Sequence, residues 1–165
     1  PEAEDELTPR FENVVIQHNY ALARGGGVCN DWRSSPLFEN AQIRGNVCAS
    51  KGGGVYSDMG CHPSFINSLF ADNRAERAAG LACDGSTQTF IAYSTFSNNH
   101  ACDIGSAIYL GTHRVEDLSG NQAHLFASIV TDNQSLGHDQ LDVEHGRDLG
   151  RLAGADRRKH PAHGS

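Results

Sequence analysis

The stretch "LARGGGVCNDWR" returns as "ASKGGGVYSDMG", with Gly25 and Gly52, the first glycine of each triple, 27 residues apart. Glycine loses more backbone freedom on folding than any other residue, so three in succession inside a strand-like stretch answer a steric need that a side chain would violate. The surrounding sequence repeats in phase: "FENVVIQHN" from Phe11, "FENAQIRGN" from Phe38, "FINSLFADN" from Phe65, "IAYSTFSNN" from Ile91 and "LFASIVTDN" from Leu125. The intervals are 27, 27, 26 and 34 residues, so the last holds an insertion, placed within Gly111 to Gln122.

Each column of the repeat has its own chemistry. The first (Phe11, Phe38, Phe65, Ile91, Leu125) and the sixth (Ile16, Ile43, Phe70, Phe96, Val130) are large and apolar. The ninth is asparagine in every copy: Asn19, Asn46, Asn73, Asn99 and Asn133. The third is Asn13, Asn40 and Asn67, then Tyr93 and Ala127, and the eleventh is small: Ala21, Cys48, Ala75 and Ala101.

A unit this short cannot bury its own apolar side, so successive copies must stack and share one elongated core. Helical stacking is excluded by the triples, each glycine of which would cost roughly 1 kcal/mol against alanine in a helix interior. A leucine-rich repeat would need leucine where this chain offers Phe, Ile and Val. Short parallel strands joined by tight bends remain. Strands of neighbouring coils then lie about 4.7–4.9 Å apart, and equivalent side chains form ladders. Asparagine suits the bends because it tolerates the left-handed conformation and its amide bonds to the amides above and below. Asn19, Asn46, Asn73, Asn99 and Asn133 are therefore expected to form a structural ladder.

The pattern F-x-N-x-x-F/I-x-x-N-x-A followed by "GGGVY", "AAGLA" or "GSAIY" resembles the repeat of right-handed parallel β-helix proteins, especially the polymorphic outer membrane protein repeat, and extends over about residues 11–135. The resemblance implies an all-β chain, a right-handed parallel β-helix of about five coils that is a fragment of a longer solenoid. It also implies a secreted, cell-surface or outer-membrane setting and an adhesive or structural passenger role, with a polysaccharide or a host or cell-surface protein as partner. The alternative it implies is part of a polysaccharide lyase or glycoside hydrolase of the pectate-lyase-like superfamily, since one architecture serves both ends.

Composition divides the chain into an acidic lead-in (1–10), the repeats (11–144) and a basic tail (145–165). The tail holds five Arg or Lys against two Asp, whereas residues 1–144 hold eight against eighteen, a net of −10. So acidic a body repels phosphates, which speaks against a nucleic-acid partner. No stretch approaches the roughly 20 apolar residues of a transmembrane helix.

Asp31, Asp58 and Asp84 each lie six residues after the first residue of a Gly-Gly-Gly or Ala-Ala-Gly element and are expected to form one column. Carboxylates one rung apart repel unless a cation intervenes, which makes calcium one expectation and the only cofactor considered; aspartate opening the next turn is the other. The turn reading expects Asp58→Asn to leave the fold intact. No catalytic residue is assigned. The lyase resemblance calls for calcium-binding aspartates and an arginine base, but Arg74 and Arg77 fall on a different side of the repeat from Asp84. His100 with Asp103, and Asp139, Asp142 and Glu144, have no partner at a distance the sequence fixes. His18, His62, His100, His113 and His124 occupy different columns without ligand spacing. His138, His145, His160 and His163 add no diagnostic pair. Five cysteines leave at least one unpaired, Cys61 and Cys83 on adjacent coils being the best candidate pair.

Overall fold

A computed structural model describes residues 8–111, 121–136 and 141–143. These form four parallel sheets of five strands each, and every sheet takes one strand from each coil. Sheet A stacks Arg10–Glu12, Leu37–Glu39, Ser64–Ile66, Gln88–Ala92 and Gln122–Phe126. Sheet B stacks Val15–Gln17, Gln42–Arg44, Leu69–Ala71, Thr95–Ser97 and Ile129–Thr131. Sheet C stacks Tyr20–Ala21, Val47–Lys51, Arg74–Arg77, His100–Ala101 and Gln134–Ser135. Sheet D stacks Val28–Asn30, Val55–Ser57, Leu81–Cys83, Ile108–Leu110 and Leu141–Val143. The protein is a parallel β-solenoid.

The register is that of the sequence columns. Phe11, Phe38, Phe65, Ile91 and Leu125 face one another rung by rung, as do Ile16, Ile43, Phe70, Phe96 and Val130. Period-two alternation turns these residues inward, where Phe38 and Phe65 stack at 5.1 Å between ring centroids and Phe70 and Phe96 at 4.2 Å. Phe65 meets Phe70 edge-on at 5.0 Å, which joins the stacks of sheets A and B into one core. Each fully buried aromatic contributes about 1.5–3 kcal/mol by leaving water.

The uneven period has a local cause. Ala75 pairs with Cys48 but Arg77 pairs with Lys51, so the third coil is one residue short at the end of its sheet C strand. The residues that lengthen the last interval fall between Gly111 and Asn121, and 112–120 lie outside the described residues, as do residues 1–7 of the acidic lead-in and the basic tail.

The glycine triples occupy the step from sheet C to sheet D. A Cβ on Gly53 would lie 2.5 Å from Arg74 O and 2.6 Å from Ala79 O, and one on Gly26 would lie 2.4 Å from Gly53 O. Carbonyls of the next coil close on these positions, so the triples are architectural.

Candidate functional site

The asparagine column is a continuous amide ladder. Asn19, Asn46, Asn73 and Asn99 each donate both backbone N–H and side-chain Nδ2 to Oδ1 of the asparagine one coil on, at 2.8–3.1 Å. Nδ2 of Asn46, Asn73, Asn99 and Asn133 also donates to the carbonyls of Ile16, Ile43, Phe70 and Phe96 on the coil before. Two further ladders stand beside it, one of serines that the sequence columns do not single out and one of the third-column asparagines. At the corner between sheets A and B, Ser68, Ser94 and Ser128 accept the backbone N–H of Ala41, Ser68 and Ser94. On the outside of that corner Asn67 donates to Asn40, and Asn40 to Asn13. These ladders satisfy the bends.

Asp58 and Asp84 are buried beneath the outward face of sheet D, whereas Asp31 is exposed and accepts the N–H of Trp32. The Tyr56 hydroxyl lies 2.8 Å from Asp58 Oδ2 and 3.1 Å from Asp84 Oδ2. Arg24 reaches Asp58 at 3.2 Å and Lys51 reaches Asp84 at 3.0 Å. Arg24 also lies over the Tyr56 ring, and Lys51 over that of Tyr109, at 5.0 and 5.2 Å from the centroids. Burial, reinforced by Asp84 and then Asp58, pushes the Tyr56 hydroxyl far above the usual tyrosine range. The two buried carboxylates are thus turned to cations and a hydroxyl of the chain itself, and among the described residues no group of three or more His, Cys, Asp or Glu is gathered to hold a metal ion. Asp58 Oδ1 accepts the N–H of Met59 at 2.8 Å, the contact the turn reading expects, yet the carboxylate also holds Arg24 and Tyr56. These contacts set a different expectation from the turn reading, that Asp58→Asn costs stability.

The catalytic candidates do not converge. Arg77 pairs with Asp103 at 3.0 Å, and Asp84 is reached by Lys51, the register partner of Arg77 on the coil before. Arg74 and His100 are register partners on sheet C. Asp139, Glu144, His113, His138, His145, His160 and His163 lie outside the described residues, and of Asp142 only the backbone position, opposite Tyr109, is described. All five cysteines are free, so the Cys61–Cys83 pair is not formed. Cys83 is fully buried, its Sγ lies 3.3 Å from Thr89 Oγ1, and burial pushes its thiol up to about 12.

What the structure does bring together is a shallow groove on the outward face of sheet A, about 220 Å³ in volume, lined by His62, Ser64, Gln88, Thr89, Phe90 and His124. Ser64, Phe90 and His124 are register partners on three successive rungs, and Gln88 pairs with Gln122. His124 Nε2 lies 3.2 Å from Gln122 Oε1. Beside the groove the Tyr93 and Phe126 rings meet edge-on at 5.5 Å, and Phe90, Tyr93 and Phe126 are all exposed. This site was missed because its residues do not repeat. The column that would have shown it stands one place before the first apolar one: Arg10, Leu37, Ser64, Phe90, His124.

The fold defines a β-solenoid repeat protein. The Chlamydia polymorphic membrane protein repeat matches residues 93–111, the part of the fourth coil from the corner at Tyr93 through Asn99 to Gly111. This likeness points to an outer-membrane or surface-associated repeat protein. No curated protein and no solved structure matches the chain. Among the described residues no helix is long and apolar enough to cross a membrane.

Proposed function

We propose that this chain is part of a secreted or outer-membrane-displayed solenoid that acts as an adhesive or structural passenger, and that it binds a neutral polysaccharide on the outward face of sheet A without cleaving it. The groove of His62, Ser64, Gln88, Phe90 and His124 carries this reading. A pyranose has an apolar C–H face and a rim of hydroxyls. Phe90 fits the face, and the imidazoles, the amide and the Ser64 hydroxyl fit the rim. Rungs spaced about 4.7–4.9 Å apart offer such a chain one contact after another along the solenoid. No carboxylate, lysine or arginine lines the groove, which supports binding of an uncharged ligand and gives no acid pair for glycoside hydrolysis.

The test is calorimetric titration of cellohexaose and chitohexaose, with polygalacturonate as the charged comparison, alongside a reducing-end assay with and without calcium. The reading expects binding of a neutral hexasaccharide, weaker binding of polygalacturonate and no new reducing ends. Depolymerisation would favour the lyase or hydrolase reading. Binding of none of the three would turn the search to a protein partner.

A further inference from the structure

Tyr93 and Ala127 stand where the first three coils carry asparagine, and of the two Tyr93 brings a bulky side chain to the corner. The corner between sheets A and B takes a left-handed residue in every coil, with φ of 54°, 53° and 47° at Asn13, Asn40 and Asn67. Asparagine tolerates that conformation because its short side chain bonds locally, and here each amide also joins the exposed ladder. Tyr93 occupies the same corner at φ 52°. A bulky side chain in this region is strained, as it is at Trp32 and Met59 of this chain, and persists only where its surroundings hold it. The substitution gives up both the tolerant residue and the next amide of the ladder.

In return, the corner gains an exposed ring. Tyr93 is 60% exposed and Phe126, the ring it meets edge-on, is 57% exposed, so this aromatic pair covers no core. The Tyr93 N–H donates to Phe126 O at 2.9 Å, which fixes the corner against the next rung. Phe126 belongs to the strand that carries His124, and Tyr93 follows the strand that carries Gln88 and Phe90. The aromatic pair therefore continues the groove to the edge of sheet A.

We infer that Tyr93 is a specificity-determining residue that stacks on the apolar face of a pyranose and extends the saccharide site from the groove to the corner, at the expense of fold stability. The inference rests on the saccharide reading above. Its test is Tyr93→Asn, which restores the residue of the first three coils, with Tyr93→Phe to keep the ring and Phe90→Ala to remove the centre of the groove. Melting temperature and the calorimetric Kd for cellohexaose and chitohexaose are measured on each. Tyr93→Asn is expected to melt about 2–4 °C higher and to bind about tenfold more weakly. Tyr93→Phe should leave both values near those of the parent. A Tyr93→Asn variant that is no more stable than the parent, or that binds as tightly, overturns the inference. If Phe90→Ala abolishes binding while Tyr93→Asn leaves it unmoved, the groove stands and only the role of Tyr93 falls. A parent that binds neither hexasaccharide overturns both.

Discussion

At Asn73 the Oδ1 accepts two N–H donors from Asn46, while the Nδ2 donates to Asn99 and to the Ile43 carbonyl. Truncation leaves those partners buried and unpaired, so Asn73→Ala is predicted to cost about 1–3 kcal/mol. Glu39→Ala, which removes only an exposed pair with Arg10, should cost less than about 1 kcal/mol. Equal denaturation midpoints for the two would show that the ladder contributes nothing beyond its surface neighbours. Asp58→Asn should destabilise by about 1–3 kcal/mol, because Arg24 and Tyr56 lose a buried charged acceptor. Calcium should leave the melting temperature of the parent unchanged, since Arg24 and Lys51 already neutralise the buried aspartates. A calcium-induced rise that Asp58→Asn abolishes would restore the metal reading. Alkali tests burial at Cys83. Its thiol, raised in the folded chain from 9.0 to about 12, favours the fold fully below 9.0 and progressively less as pH climbs towards 12. Cys83→Ala should flatten the loss of stability over that window by up to roughly 1.4 kcal/mol per pH unit. An unchanged slope would mean that this thiol is not sequestered.

The element scale is governed by the step from sheet C to sheet D. Gly53→Val is predicted to destabilise by about 1–3 kcal/mol or more, because carbonyl oxygens of Arg74 and Ala79 stand where the new side chain begins. Urea denaturation of the variant checks this, and a midpoint equal to that of the parent would refute the packing described for the triple. Strand positions, inward columns and the ninth-column ladder were legible in the sequence because each follows from one residue type recurring at one period. The serine ladder was not, since its column begins with Val14 and Ala41 and acquires its hydroxyls only from Ser68 onward. The pairing of Arg24 with Asp58, and of Lys51 with Asp84, was hidden for another reason. The partners are 34 and 33 residues apart, on adjacent coils but out of phase with the repeat. The groove was least legible, because His62 and His124 share no column and meet only through the outward face of three rungs.

For the molecule as a whole, the repeat and the site have separate origins. Regular columns of Phe, Asn and Gly build the stack, and departures from them in the third to fifth coils give one outward face a chemistry of its own. We propose that this face, and not the buried charge network of sheet D, is where the solenoid meets its ligand. Backbone amide NMR during titration with cellohexaose and chitohexaose tests it most directly. Shift changes are expected at His62, Ser64, Gln88, Thr89, Phe90 and His124, reaching Tyr93 and Phe126. Changes centred instead on Arg24, Lys51, Tyr56 and Asp84, or none with either sugar, would contradict it.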